Sequence, residues 1–565
     1  MRHGFTGILS FISAGLLICM MLGYWDCAEA AGQIYVNNGQ NILSGDIGSA
    51  YVVGGSGTVS VAGGAYAITG NGVQNIGQPT TTPPTTTKPI PDGGEDGTTV
   101  SVNTTKARIG LYYYYSDTRD TALSYANLEN EVGSGYQFGY YDSSRVFHQL
   151  GSTGITTITM VPDLNTAVPV GTVGCYHIRL PKIYADFASA QADASKYSGG
   201  FPAYINGAYY AMVGNYQSAS GASSAQTTLG ITGTVFTGSC NCVAVTKTDT
   251  TKILFEFDCG TASSLAVHPV ADTKAKTWFK QNVYYGDFEY YRYVNDELTV
   301  INVVNVEDYI KGVILAEMSN SWPIEALKAQ ALCARSYYAT NAGTYLPYGF
   351  DVTADTYSQA YKGISLATEN SNTAVDETAG EYITYNGKIC STLYFSSDGG
   401  GTEDSENIFT NALPYCRGVI DPFEDAVPAS MNSRKSWSVQ ISASDIATKL
   451  NNKGYSIGSI TSVTAGYSDT NNVISLTFTD SSGKCVNVSK GTCFSICCGT
   501  LGLNSVHFTI TKNNDTYVFN GGGWGHNVGM SQFGAYSMAK FSGLNYRQII
   551  RFYFTGVNIS KGIVA

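Results

Sequence analysis

The sequence predicts an α+β protein, with a mixed-sheet domain built around a central pair of helices. Three observations carry that expectation. Short segments alternate apolar and polar residues, as in KARIGLYYYY from Lys106, KILFEFD from Lys252 and VISLTFTD from Val473; a period of two marks a half-buried strand. A longer stretch, VEDYIKGVILAEMSNSWPIEALKAQALCARSYYATN from Val306 to Asn341, repeats apolar residues at helical spacing on both sides of a break at SNSWP. A chain of 565 residues is too long for one core, and its texture changes sharply near residue 106, so two to four domains are expected.

The composition narrows the function. Hydrophobic residues make up 43% and charged residues only 13%, so the surface must be rich in neutral polar groups. A net charge of −11 argues against nucleic acid, which needs a basic patch. The 41 tyrosines suit carbohydrate, whose CH faces stack on rings, although many will be core.

The N-terminus, MRHGFTGILSFISAGLLICMMLGYWDCAEAAGQ, has a basic start at Arg2 and His3, an apolar run from Ile8 to Tyr24 and small residues around Ala28 and Ala30. It reads as a secretory signal over 1–30, hence a secreted or wall-associated protein. The rival is an uncleaved anchor, the one case in which membrane attachment is expected. Export permits disulfides. Of 13 cysteines, Cys19 and Cys27 leave with the signal, and the odd remainder implies a free or intermolecular thiol. Two clusters, Cys240/Cys242 and Cys493/Cys497/Cys498, suggest metal, but neither has a neighbouring histidine, so zinc is not expected there.

Residues 31–78 are Gly-rich, with alternating pieces such as TVSVAGGAYAIT, and are read as a small β unit or loose chain. Residues 79–105, beginning QPTTTPPTTTKPIP, form a Thr/Pro-rich linker that stays extended. A globular region opens over 106–167. Within 168–246 a strand, a turn and an Ala/Ser/Gln-rich helix occur twice, from Tyr176 to Tyr197 and from Tyr209 to Gly230, with an Asn-Gly hairpin signal in FPAYINGA between them. This βαββαβ pattern resembles the sporulation-related repeat (SPOR) domain, which implies binding of glycan strands stripped of their peptides; a ferredoxin-like insertion without a ligand is the alternative. Residues 247–565 alternate strands and helices to the end.

In the first helix of the pair, Val306, Ile310, Val313 and Ile314 form an apolar stripe, and Glu317 continues it at seven, four and three residues' spacing. Glu307, Asp308 and Lys311 fall on the other side, as solvated charges. Ser321 is the expected N-cap of the second helix, with Pro323 in its first turn and Glu325 near its positive end. A carboxyl drawn into an apolar site is harder to ionise, so its pKa rises, which prepares a general acid near neutral pH. Otherwise Glu317 swings out to water or pairs with a cation such as Arg335.

The residues here resemble the stage II sporulation protein D family. Its pattern of an acid-Met pair, a Trp/Pro step, EALKAQ and an Ala-Arg-Ser-Tyr segment is present from Glu317 to Tyr337. YFSSDGGGTED from Tyr394 resembles its Ser-rich Gly-Gly-Thr segment, and GGGWGHNVGMSQFGAYSMA from Gly521 its closing motif. The resemblance implies a lytic transglycosylase acting on peptidoglycan, with Glu317 as its single catalytic carboxyl. Hydrolytic glycosidases usually need two carboxyls, which here would require Asp398 or Glu403 across a cleft. By motif, His526, Gln532, Ser396, Ser397 and Gln359 would bind substrate, while Lys328 and Arg335 would meet Glu317 or an anionic lactyl group. Tyr361 and Tyr394 are read as core. Two departures stand out. The segment GFDVTADTYSQAYKG lacks the Cys/His set that holds zinc in some members, so no metal and no cofactor are expected. Asn527 stands where the motif usually has Gly, and should narrow the cleft or require an unusual turn. Expected partners are denuded glycan strands and other cell-wall hydrolases; the competing reading is a non-catalytic wall-binding amidase enhancer.

Overall fold

A computed structural model describes residues 96–564, apart from 104, 117–118 and 293–296, together with the backbone of five strands between Tyr35 and Gly77. The signal segment 1–30 and the Thr/Pro stretch of the linker lie outside the described residues. The chain divides into a small unit over 17–88 and a large one containing 89–565. In the small unit, Gly57–Val61, Gly64–Thr69 and Gly72–Gly77 form an antiparallel sheet, and Tyr35–Val36 pairs in parallel with Tyr51–Val52.

The large unit is α+β. Its seven-stranded sheet explains how the helix pair is placed. Lys106–Tyr112 pairs antiparallel with Leu298–Asn305, with Ile109 opposite Asn302, so chain segments far apart in sequence share one sheet. Asn305 then ends the strand and caps the helix Val306–Glu317, its side chain accepting from the Glu307 N–H at 2.9 Å. Val306, Ile310, Val313 and Ile314 are all buried, as the stripe requires. Gly312 faces the Tyr361 ring so closely that a Cβ would lie 2.5 Å from Cε2, so only glycine fits that turn of the helix.

The second helix differs from expectation. It runs Ile324–Asn341, and its N-cap is Pro323 rather than Ser321. Ser321 instead shares a hydrogen bond with Ser319 inside the connecting turn. Trp322 is the anchor of that turn. It is buried and packs against Phe533 and Tyr536 of the helix Gln532–Phe541, with ring centroids 5.0 and 5.1 Å away. This contact draws the start of that late helix to the end of the glutamate helix.

The βαββαβ segment comprises Tyr176–Arg179, Phe187–Ala194, Gly200–Ile205, Ala208–Tyr216, Ala219–Leu229 and Thr234–Phe236. Its four strands are ordered fourth, first, third, second, all antiparallel, in the split arrangement of ferredoxin-like folds. The segment is not a free insertion. Gly200–Ile205 pairs in parallel with Ile253–Asp258, fusing it into a ten-stranded sheet. Val243–Lys247, which straddles the end of the expected 168–246 segment, belongs to the body of that sheet. The last part of the linker is likewise structured: Thr99–Val102 pairs in parallel with Asn558–Val564. Among the described residues, no helix is long and apolar enough to cross a membrane.

Candidate active site

Glu317 is the final residue of its helix, where the chain turns into the extended Met318. It is half-buried, and protein closes around its carboxyl. Oε1 accepts the backbone N–H of Ala360 at 3.2 Å, and Oε2 accepts from Gln532 Nε2 at 3.4 Å. Both bonds favour the anion, yet removal from water outweighs them and the pKa is pushed up to about 7. No charged neighbour contributes to that shift. The carboxyl is therefore a lone acid poised near neutrality, unlike a paired-carboxylate dyad.

Tyrosines form the wall. Tyr309, Tyr337 and Tyr394 are near enough to feel the Glu317 charge. Tyr394 donates to Gln359 Oε1 at 2.8 Å, and Gln359 Nε2 reaches the Tyr309 hydroxyl at 3.2 Å and the Ala334 carbonyl at 3.3 Å. Gln359 is buried, so it fixes the tyrosines. Tyr361 is core, bonded to Asn302 at 2.8 Å.

The Gly-rich turn lies beside this wall. Nε2 of His526 donates to the Tyr394 carbonyl at 3.1 Å, and Nδ1 accepts the Val528 N–H at 3.1 Å. Both nitrogens are committed, which fixes a neutral tautomer; burial pushes the pKa down to about 4. His526 thus ties the turn to Tyr394. Asn527 takes the left-handed conformation at φ 60° that its place in a glycine motif demands. Its buried side chain donates to the carbonyls of Asp398 at 2.8 Å and Gly401 at 3.2 Å, so it pins two loops.

The remaining expected residues divide. Gln532 meets Glu317. The Ser396 carbonyl accepts the Phe533 N–H at 3.0 Å, holding the Gln532 helix in place. Ser397 is fully buried and donates to Glu424 at 2.6 Å, so it does not line a surface. Lys328 is paired with Glu325 and Glu377, at 2.8 and 2.7 Å. Arg335 is fully enclosed and clasps Glu307. Neither cation pairs with Glu317. Glu307 is consequently a partner for a buried charge rather than a solvated group, and Asp308 is buried against Lys274.

Asp398 and Glu403 are both buried; Asp398 accepts the Gly400 N–H through Oδ1, while its Oδ2 is enclosed without a hydrogen bond. Asp398 sits with Asp421 and Glu424, their carboxylate oxygens within 4.8 Å of one another. Glu403 accepts from Asn407 and Ser468. Sequence reasoning missed Glu424, which also accepts from Ser531, the N-cap of the Gln532 helix. Burial pushes its pKa up. Nothing local in IDPFED distinguishes it from a surface acid. An open groove of about 1020 Å³ runs past Gly399, Gly521 and Gly522, lined by Trp437, Tyr467, His507 and Phe508; Glu317 is not among its walls.

Glu317, Gln359 and Ala360 lie within a stretch that a family profile recognises, whereas Tyr394, His526 and Gln532 lie beyond it. The profile of the family described as Stage II sporulation protein matches residues 294–385. Stage II sporulation protein D of Bacillus subtilis (strain 168) is 32% identical over 273 residues, covering 46% of this chain and 75% of that protein. The chain belongs to the stage II sporulation protein D family. Another relative, an uncharacterized protein of Brachyspira hyodysenteriae (strain ATCC 49526 / WA1), is 35% identical over 286 residues, 49% of this chain and 72% of its own length. The amidase enhancer of Bacillus subtilis (strain 168) is 32% identical over 291 residues, but the match spans only 40% of that protein. Within the stage II sporulation protein D framework, Glu317, Ala360 and Gln532 form the site's hydrogen-bonded centre.

Proposed function

We propose that this protein is an exported lytic transglycosylase of peptidoglycan glycan strands, with Glu317 as its catalytic acid and base. The observation that carries the reading is a solitary carboxyl with its pKa at about 7. Protonated Glu317 donates to the oxygen linking N-acetylmuramic acid to N-acetylglucosamine as that bond breaks. The resulting carboxylate then takes the proton of the muramyl 6-hydroxyl, whose oxygen closes onto the anomeric carbon. One group serves both steps, no water is consumed, and a 1,6-anhydro end forms. Ala360 N–H and Gln532 stabilise the carboxylate between the steps. Neutral His526 acts through the turn it holds, since it carries no proton to spare near neutral pH. Tyr394 and Gln359 shape the wall.

The βαββαβ segment is read as a SPOR-like binder of denuded glycan, delivering the catalytic region to its substrate. The names of two relatives, stage II sporulation protein D and amidase enhancer, support a setting in sporulation or other cell-wall remodelling, where other wall hydrolases are the expected partners. The amidase enhancer among the relatives favours a second reading, a wall-binding protein that stimulates an amidase without cutting glycan itself.

Digestion of purified glycan with wild type and Glu317→Gln, read by mass spectrometry, separates the two. Anhydro-muramyl products from wild type alone support the enzyme. Equal inactivity, with amidase stimulation intact in both proteins, supports the enhancer. Reducing-end products carrying solvent oxygen would instead establish hydrolysis.

A further inference from the structure

A second cluster of reactive side chains lies away from Glu317, where the βαββαβ segment meets the main sheet. Four residues from four chain segments converge there: Asp163 after the strand Thr157–Pro162, His177 within Tyr176–Arg179, Cys242 before Val243–Lys247, and Glu256 within Ile253–Asp258. All four side chains are wholly enclosed.

Three of their separations match the edges of a metal shell. His177 Nε2 lies 3.2 Å from Asp163 Oδ1 and 3.3 Å from Glu256 Oε2, and Cys242 Sγ lies 3.4 Å from Glu256 Oε1. A zinc tetrahedron has edges of about 3.3 Å between nitrogen and oxygen ligands and about 3.5 Å between sulfur and oxygen, given its usual bond lengths. The ligand atoms of Asp163, Cys242 and Glu256 all fall within 4.8 Å of one another; His177 joins that triplet through Asp163 and Glu256 rather than through Cys242.

Two further observations point to a cation. His177 Nδ1 is 2.6 Å from the Gly214 carbonyl, so that nitrogen carries a proton and donates it. Nε2 faces the carboxylates of Asp163 and Glu256, a gap that a proton fills in the metal-free protein and that a cation can take over. Glu256 Oε2 is fully buried and accepts no hydrogen bond. A nearby third acid, Asp258, is not needed for the shell, being held by the Ser239 N–H, the Ser239 hydroxyl and the Gly260 N–H.

We propose that Asp163, His177, Cys242 and Glu256 form a structural zinc site that staples the first strand of the βαββαβ segment to the main sheet. The donor set of one imidazole, one thiolate and two carboxylates suits Zn²⁺ rather than Ca²⁺ or Mg²⁺, which prefer oxygen alone. Four protein ligands leave no open position, so the site is structural and not catalytic. Binding converts the Cys242 thiol to thiolate, and displaced protons go to solvent. Sequence reading set zinc aside at Cys240/Cys242 for want of a nearby histidine; the sheet supplies one from another strand.

The test uses the full chain after removal of metal by chelation. Addition of Co²⁺ alone should bind one equivalent per chain and give a thiolate-to-cobalt charge-transfer band with tetrahedral d–d absorption. Cys242→Ser should lose that band and weaken zinc binding by more than about 100-fold, beyond the loss typical of outer-shell partners. Cys497→Ser, in the other cysteine cluster, should keep both. If Cys242→Ser fails to fold, X-ray absorption on zinc-loaded wild type decides. One sulfur at about 2.3 Å with three nitrogen or oxygen ligands at about 2.0–2.2 Å is expected. No uptake, a shell without sulfur, or a shell of several sulfurs would overturn the proposal.

Discussion

Gln532 Nε2 donates to Glu317 Oε2 over 3.4 Å, across 215 residues of sequence. The bond exists because Trp322 grips Phe533 and Tyr536 and so brings one helix start to another helix end. Its chemical effect is to favour the carboxylate and hold the pKa of Glu317 lower than burial alone would set it. Gln532→Ala should therefore raise that pKa. One hydrogen bond to a charged group corresponds to a shift of up to about one pH unit. The alkaline limb of the pH–rate profile should move upward by that amount; an unmoved limb would show that the contact has no hold on the acid.

The profile itself follows from which form begins the reaction. The leaving oxygen must be protonated, so the free enzyme needs Glu317 in its acid form. With its pKa at about 7, kcat/KM should be flat below neutrality and fall tenfold per unit well above it. Activity sustained undiminished at pH 9 would assign the proton to some other group.

Stability should show the reverse face of the same shift. The ordinary carboxyl value is 4.5 and the folded value about 7. The folded state thus resists ionisation, and the penalty is absent below pH 4.5, grows up to about pH 7 and is complete beyond. Glu317→Gln keeps an acceptor for Ala360 but cannot ionise. Relative to wild type it should gain up to about 3 kcal/mol at pH 8 and little at pH 4. Urea unfolding at the two pH values measures the difference. A gain that is equal at both would place its cause outside ionisation.

Arg335 is the largest fully buried side chain, and Glu307 is the carboxylate that clasps it. Removing the anion leaves an enclosed guanidinium with the Glu381 carbonyl at 3.1 Å. Glu307→Ala should destabilise the fold by about 3 kcal/mol, the lower end for breaking a buried pair because Glu307 keeps some solvent. Equilibrium unfolding checks it, and a loss below about 1 kcal/mol would mean that water replaces the carboxylate.

The sequence made the stripe legible, because four apolar residues and Glu317 repeat within one helix and local spacing decides which face they share. It did not reveal Arg335's partner. Glu307 lies on the side that periodicity reads as solvated, and only the Arg335 guanidinium and the Gly380 N–H, both distant in sequence, draw its carboxylate inward. The cap moved from Ser321 to Pro323 because Trp322 is pulled beneath the late helix, a long-range contact without local signal. His526 was visible as a motif residue, but its two bonds depend on the Tyr394 carbonyl and the Val528 N–H, which no spacing displays. His177 and Cys242 were each readable as reactive types, yet nothing in a linear string sets two strands side by side.

Asn527 shows what a departure from a motif demands. At φ 60° a glycine is unstrained, an asparagine is tolerated and an alanine costs about 1–2 kcal/mol in backbone energy. The asparagine amide also donates to the carbonyls of Asp398 and Gly401. Asn527→Gly should lose those bonds but relax the backbone. Asn527→Ala should lose them and add strain, so it should be less stable than the glycine variant by about 1 kcal/mol, since both lose the same two bonds. Thermal unfolding ranks the three proteins as wild type, then glycine, then alanine. Should glycine equal wild type, the amide contributes nothing net. Should alanine equal glycine, the left-handed backbone at this position is not held in solution, and the loops bearing Asp398 and His526 are joined by something other than Asn527.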